Sequence, residues 1–338
     1  MIAPAELRHL ASRRAAAGDA RRELVADARS AFAADVRRDL QRRPRQLQAK
    51  YFYDALGSQL FEAICQLPWY RIPSAERALL EAHAEAIGGL LPELATIVEL
   101  GCGSGAKLAL LVEGMRRAGP MLVRLVDISA TALELSARTL GRLPGVSVVG
   151  HRAPFGPGLR DAVTRRSAQG SMLVLFLGSN IGNFHPTSAI ALLREVRDCL
   201  RPGDGFLLGA DLVKPEEELL LAYGDPVGVT AAFNKSLLER INRELGGDFD
   251  LDAFDHVPRW NAERLRMESH LVSRRDQIVR VPLADLVLPL RAGESIWTES
   301  SYKYEPDGLV ALARAAGLVC RGRWIEPSAR FALALFAG

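Results

Sequence analysis

The residue types in Val98-Glu99-Leu100-Gly101-Cys102-Gly103-Ser104-Gly105 read as a nucleotide-cofactor loop, a carboxylate followed by spaced glycines. Glycine permits the tight turn and the positive φ, and it lets a cofactor approach the backbone with no Cβ in the way. The pattern Gly101-x-Gly103-x-x-Ala106 also satisfies a dinucleotide fingerprint, so the loop by itself admits hydride transfer as well as group transfer. Asp127, at the end of the next apolar run, offers a carboxylate to ribose hydroxyls in either case.

A loop of this kind has to sit where a strand turns into a helix. The run Thr96-Ile97-Val98 fits a buried parallel strand, and Lys107-Leu108-Ala109-Leu110-Leu111-Val112 begins a helical pattern. Upstream, Ser74 after Pro73 reads as the N-cap of a helix carrying Leu79, Leu80 and Ile87. Downstream, the strands Leu122 to Val126, Val146 to Val149, Met172 to Leu177 and Phe206 to Val213 alternate with helices from about Ala130 and from Ser188 to Leu200. That rhythm predicts an α/β, doubly wound parallel sheet with ligands beyond the carboxyl ends of its strands. Residues Glu216 to Asn242 read as largely helical. The runs Ser269 to Ser273 and Gln277 to Val281 alternate as half-exposed antiparallel strands do, which suggests a second, smaller lobe inserted in the sequence. A helix from about Asp307 to Ala316 and a strand Arg330 to Leu335 return to the sheet.

Composition excludes several classes. Among 338 residues the net charge is only +3 with signs interspersed, so no nucleic-acid stripe is present. The doublets Arg13-Arg14, Arg21-Arg22 and Arg37-Arg38 and the run Arg42-Arg43-Pro44-Arg45 form a basic N-terminal region, but Asp19, Glu23, Asp27, Asp35 and Asp39 interrupt it, unlike a transit peptide. No apolar run reaches the roughly 20 residues of a membrane span, and a cytoplasmic location is expected. Cys65, Cys102, Cys199 and Cys320 stand apart and the histidines lack helical pair spacing, so no metal site is expected.

Glu99, two residues before the first glycine, tips the balance toward methyl transfer over hydride transfer: Glu-x-Gly-x-Gly-x-Gly resembles the first motif of class I S-adenosylmethionine methyltransferases. The segment Phe176-Leu177-Gly178-Ser179-Asn180-Ile181-Gly182-Asn183 then falls beside the methyl donor. It has neither the Pro-Pro of adenine amino methyltransferases nor the cysteine of C5-pyrimidine enzymes. From Lys50 to the C-terminus the chain resembles the histidine-specific Nα-methyltransferases of ergothioneine biosynthesis, through ordered blocks. These are Tyr51-Phe52-Tyr53-Asp54-x-x-Gly57-Ser58, Leu67-Pro68-x-Tyr70, Glu99-Leu100-Gly101, Phe176 to Asn183, Asp211-Leu212-Val213-Lys214, Gly228 to Asn234 and Thr298-Glu299-Ser300-Ser301-Tyr302-Lys303.

The resemblance implies a Rossmann-like class I methyltransferase domain over 75–213 and 304–338, a substrate-binding α+β domain over 20–74 and 214–303, and an extension over 1–19. It implies S-adenosylmethionine as cofactor and Nα-trimethylation of free L-histidine to hercynine. Donor contacts would come from Tyr53, Glu99, Gly101, Gly103, Lys107, Asp127 and Gly178. The amino acid head group would meet Tyr70, Asn183 and Tyr223, and the imidazole Glu299 and Ser301, with Asn183, Tyr70 and Tyr53 closest to the reacting amine. Phe52, Tyr53 and Phe184 are candidates to face a quaternary ammonium product. The substrate is then a small molecule, with no nucleic-acid or membrane partner and a monomeric enzyme.

Two positions depart from the family. Gly150-His151-Arg152 replaces an acidic residue on the adenine side, so a different contact or a shifted loop is expected there. Ser269 stands where a pocket methionine is common, which would enlarge the pocket for tryptophan or a substituted histidine. An RNA or protein methyltransferase, motivated by the basic N-terminus, and a non-catalytic S-adenosylmethionine-binding protein are the other classes compatible with the sequence.

Overall fold

A computed structural model describes residues 27–116, 119–164, 166 and 170–338; the extension 1–19 and the doublets Arg13-Arg14 and Arg21-Arg22 lie outside them. In chain order, helix α1 (27–40) and the short strand β1 (Arg45–Gln46) precede α2 (Ala55–Ile64) and α3 (Ile72–Gly89). Alternation follows, through β2 (Leu94–Leu100), α4 (Ala106–Gly114), β3 (Met121–Asp127), α5 (Ala130–Leu140), β4 (Val146–Arg152), α6 (Phe155–Thr164), β5 (Ser171–Phe176), α7 (Pro186–Cys199) and β6 (Gly205–Asp211). Then come α8 (Glu216–Tyr223), α9 (Val229–Leu245), β7 (Phe254–Asn261), β8 (Arg266–Ser273), β9 (Gln277–Val281), β10 (Leu286–Leu290) and β11 (Ser295–Tyr302). The chain ends with α10 (Pro306–Ala315), β12 (Val319–Glu326) and β13 (Phe331–Ala337).

The main sheet has the order β12-β13-β6-β5-β2-β3-β4. Strand β2 pairs in parallel with β3 and β5, β3 with β4, and β5 with β6. The doubly wound class I methyltransferase sheet expected from the alternating apolar runs is present. One edge differs: β13 runs antiparallel to both β6 and β12. The link from Glu326 to Phe331 is too short for the crossover a parallel pair would need.

Strand periodicity divides the core between the two faces of this sheet. Ile97, Leu173, Leu175 and Leu207 pack with Leu80, Ile87, Leu108 and Leu111 of α3 and α4. Their neighbours Val98, Val174, Phe176 and Phe206 pack with Leu159, Leu193 and Leu309 of α6, α7 and α10. A continuous apolar run is therefore required of each central strand, at about 1.5–3 kcal/mol for each large side chain buried.

Helix α3 begins before Ser74. Arg71 is its N-cap residue, Pro73 lies in the first turn, and the Ser74 hydroxyl donates back to the Arg71 carbonyl at 3.0 Å. Proline lacks the N–H that a first turn leaves unpaired anyway, so the helix starts upstream of it rather than after it. The largely helical stretch after Glu216 is two helices, separated where Asp225 accepts from the backbone N–H groups of Gly228 (2.7 Å) and Thr230 (2.6 Å).

Outside the main sheet, one sheet has the order β1-β11-β8-β7 and β9 pairs with β10. The chain forms two compact units. The smaller comprises the described part of Met1–Gln48 with Asn234–Val257 and His270–Thr298. Its buried Arg45 pairs with Glu294 at 2.8 Å and donates to the Leu40 and Pro289 carbonyls. The larger comprises Ala49–Phe233, Pro258–Ser269 and Glu299–Gly338, so segments 49–74, 214–233 and 299–303 belong with the main sheet. The reason is physical: Phe52 stacks on Phe233 at 4.4 Å, and Lys303 pairs with Asp211 at the end of β6.

Candidate active site

Every residue named from the sequence as a donor or substrate contact falls in the larger unit. At one end, Gly101, Gly103 and Gly105 adopt φ of +79°, +51° and +75°, the left-handed region that disfavours a side chain; Gly103 is exposed, and Gly105 packs against Ser136. Asp127 holds this loop from the end of β3. Its carboxylate accepts from Cys102 N at 3.1 Å and Ser129 N at 2.8 Å, while burial pushes its pKa above the ordinary carboxylate range. Glu99 is buried under the loop, and its Oε2 has no hydrogen-bond partner among the described residues. Burial pushes its carboxyl up to about 8, against the pull of Lys107.

Lys107 reaches across to Glu76 of α3 at 2.5 Å, and the same carboxylate accepts the Gly178 N–H at 2.8 Å. Burial works against the lysine's charge, but Glu76 holds its pKa above the ordinary value. Glu76 thus ties the glycine loop's helix to the turn after β5, and the sequence reading missed it. The signal was available: Glu76 lies on the stripe Ile72, Ala75, Leu79 and Leu80, where a lone acid must be buried and therefore partnered. An orphaned carboxylate oxygen, a lysine with unspent donors and left-handed glycines suit a cationic amino acid joined to a nucleoside, as S-adenosylmethionine is.

Where the sequence leads to the expectation of an adenine contact, His151 is buried with Nδ1 at 2.6 Å from Asp161 and Nε2 at 3.2 Å from Arg124, so both ring nitrogens are engaged within the fold. The Phe155 ring lies beside the loop instead, 3.6 Å from where a Gly101 Cβ would stand.

At the other end, Tyr70 and Tyr223 meet edge to face at 6.1 Å. The Tyr223 hydroxyl donates to Ser301 Oγ at 2.8 Å. Lys303 Nζ donates to Tyr223 Oη at 2.8 Å and Ser301 Oγ at 2.9 Å and pairs with Asp211 Oδ2 at 2.9 Å. Lys214 takes the other Asp211 oxygen at 2.6 Å. Burial would strip charge from Lys303, yet Asp211 keeps its pKa above the ordinary value. Glu299, two residues before Ser301 on β11, is pushed up to about 7 by burial, tempered by Lys303. The sequence assigns Lys303 and Asp211 no role, because Lys303's partners Asp211 and Tyr223 lie too far along the chain for spacing to reveal.

Tyr53 stands between these ends: burial first, then the negative charges of Glu299 and Asp127, push its phenol above the ordinary range. It is positioned by the turn that starts α2, where Asp54 accepts the Gly57 N–H at 2.8 Å. A Cβ at Gly57 would lie 1.7 Å from the Phe52 carbonyl, so that glycine is obligatory. Phe52 itself is buried with one face on Phe233, which removes it from the candidates to face a quaternary ammonium. Asn183 ends the 3-10 turn Asn180–Asn183, which is held by Tyr304 Oη on the Ile181 carbonyl at 3.3 Å and by Ser179 Oγ accepting the Asp211 N–H at 2.9 Å. Ser269 is buried on β8, the strand next to β11.

Among the described residues no cluster of acids, histidines and cysteines could hold a metal ion, and no helix is long and apolar enough to cross a membrane. Comparison with known proteins identifies the family. The chain is 40% identical over 304 residues to the histidine N-alpha-methyltransferase of Mycolicibacterium smegmatis, covering 89% of this chain and 92% of that protein. It is 40% identical over 309 residues to the enzyme of that name from Mycobacterium tuberculosis, covering 89% and 94%. A 4-dimethylallyltryptophan N-methyltransferase of Epichloe festucae var. lolii is 26% identical over 315 residues, covering 85% and 89%. The model of the S-adenosylmethionine-dependent, histidine-specific methyltransferases matches residues 32–337, and the chain belongs to that family.

Proposed function

We propose that this chain transfers methyl groups from S-adenosylmethionine to the α-amino nitrogen of free L-histidine, up to the trimethylated product hercynine. The observation that carries this reading is the cluster at one end of the site: Glu299 and Ser301 at i and i+2 of β11, hence on one face, with Ser301 bonded to Tyr223 and Tyr223 against Tyr70. An imidazole offers an N–H to the carboxylate, and the head group falls to the phenols and Asn183.

S-adenosylmethionine, when bound, supplies an electrophilic methyl on a sulfonium. Glu99, Gly101, Gly103, Lys107, Asp127 and Gly178 would hold it, with Phe155 on the adenine side. Residues 75–213 and 304–338 then carry the donor contacts, and 20–74 and 214–303 the amino acid contacts together with Asn183. The protein's task is alignment and exclusion of water, because in-line displacement needs no strong acid catalysis. The residues named would hold the amine with its lone pair facing the methyl that the donor supplies, and the methylated amine would have to lose a proton before the next transfer. Tyr53 and Tyr70 are both pushed above the ordinary phenol range by burial, so they stay protonated and orient the amine rather than deprotonate it. Asn183 offers its amide oxygen to an amine N–H, and the Tyr70 hydroxyl donates its proton toward the carboxylate, while Tyr223, whose proton goes to Ser301, packs against Tyr70.

The test is to incubate purified protein with S-adenosylmethionine and each common L-amino acid separately and read products by mass spectrometry. Histidine should gain up to three methyl groups; methylation of none of the amino acids would overturn the reading. The small, buried Ser269 and the tryptophan-derivative relative favour a second reading, in which bulkier rings are admitted. In that case Ser269→Met should lower activity on tryptophan relative to histidine, and an unchanged ranking would remove the second reading.

A further inference from the structure

We propose that Lys303 sets the hydrogen-bond polarity of the ring pocket: it makes Ser301 a donor toward the substrate, so that the site takes a ring bearing one N–H and one unprotonated nitrogen. This deepens the histidine reading and rests on it.

An ammonium has three N–H donors and no acceptor. Lys303 directs them to three oxygens, Tyr223 Oη at 2.8 Å, Ser301 Oγ at 2.9 Å and Asp211 Oδ2 at 2.9 Å. Its side chain is 0% exposed, so no solvent competes for them. Tyr223, having accepted from Lys303, donates its own proton to Ser301 Oγ at 2.8 Å. Ser301 Oγ therefore accepts twice, which fills both lone pairs of a hydroxyl oxygen, and only its proton remains to offer. Two residues earlier on the same face of β11, Glu299 presents a carboxylate, which accepts.

The result is an acceptor beside an obligate donor. A neutral imidazole matches both, with one N–H and one bare nitrogen. Pyrrole and indole rings match only the acceptor, and leave the buried Ser301 hydroxyl proton with no partner. Lys303 does not touch the ring in this scheme; it is a positioning residue that acts through Ser301 and Tyr223. Asp211 keeps the lysine charged, and Lys214 on the other carboxylate oxygen, 2.6 Å away, leaves Asp211 partnered when Lys303 is replaced, so Lys303→Met is expected to fold.

The experiment measures kcat and KM for L-histidine and for 3-(pyrrol-2-yl)-L-alanine, which keeps the N–H and lacks the acceptor. It uses the wild-type enzyme, Ser301→Ala, Lys303→Met and the double variant. The wild type should prefer histidine by about tenfold to a hundredfold, the usual cost of leaving a buried donor unpaired. Ser301→Ala and Lys303→Met should each lower that preference to within about threefold of unity, chiefly through the KM for histidine, and the double variant should lose no more. Additive losses, or equal losses for both substrates, would mean that Lys303 only supports the fold and would overturn the proposal. A wild type that uses the pyrrole analogue as well as histidine would overturn it without any variant. A wild type that methylates neither would instead remove the histidine reading itself.

Discussion

Lys107 and Lys303 each pair with a buried carboxylate, Glu76 at 2.5 Å and Asp211 at 2.9 Å, yet their surroundings differ. The Lys107 side chain is 36% exposed and meets one carboxylate, which leaves N–H donors for a ligand. The Lys303 side chain is 0% exposed and its three donors are spent inside the protein. A half-exposed lysine can bind; a saturated, buried one can only hold other groups in place. The two ends of the site are built on that distinction, with direct contacts at the cofactor loop and hydroxyls preset by a hidden cation at the ring pocket.

Removing the acids separates the two ends most strongly. Asp211→Ala leaves Lys303 and Lys214 buried without their counter-charge, and breaking a buried pair from one side costs about 3–5 kcal/mol. Glu76→Ala leaves the Gly178 N–H unpaired but lets Lys107 turn to water, at about 1–3 kcal/mol. Urea denaturation of the two variants should rank them in that order, and equal losses would erase the distinction.

A third effect, seen only as a dependence on pH, comes from Glu99. Its folded carboxyl keeps its proton up to about 8, whereas the unfolded one loses it near 4.5. Between those values the folded state binds the extra proton, so the stability of the ligand-free protein should fall as pH rises, by at most about 1.4 kcal/mol per pH unit. Melting temperatures of wild type and Glu99→Gln across that window check the sign: the variant should lack this part of the slope, and identical slopes would mean that Glu99 is not the group responsible.

What could be read in the sequence follows the same division. The cofactor loop was legible because Glu99 to Gly105 is contiguous and its flanking periodicities switch from strand to helix. The parallel strands were legible because burial on both faces demands unbroken apolar runs. The antiparallel edge was not, since Phe331 to Leu335 has the same apolar character in either direction and only the short link before it decides. Glu76 was hidden among the helical signals of α3, and Lys303 among the residues of a strand end. Each acquires meaning only from a partner brought close by the fold, Gly178 for one and Asp211 for the other. Ser74 failed as a cap for a local reason, because proline at the first turn moved the helix start ahead of it.

The most direct test of the contrast is calorimetric binding of the demethylated cofactor S-adenosylhomocysteine and, in its presence, of L-histidine to Lys107→Met and Lys303→Met. The pattern expected is crossed. Lys107→Met should weaken cofactor binding about tenfold or more, as loss of a charged hydrogen bond does, and change histidine binding little. Lys303→Met should leave the cofactor Kd within about twofold of wild type and weaken histidine by about tenfold. Equal weakening of the cofactor by both variants, or unaltered histidine binding in Lys303→Met, would contradict the division between a binding lysine and a positioning one.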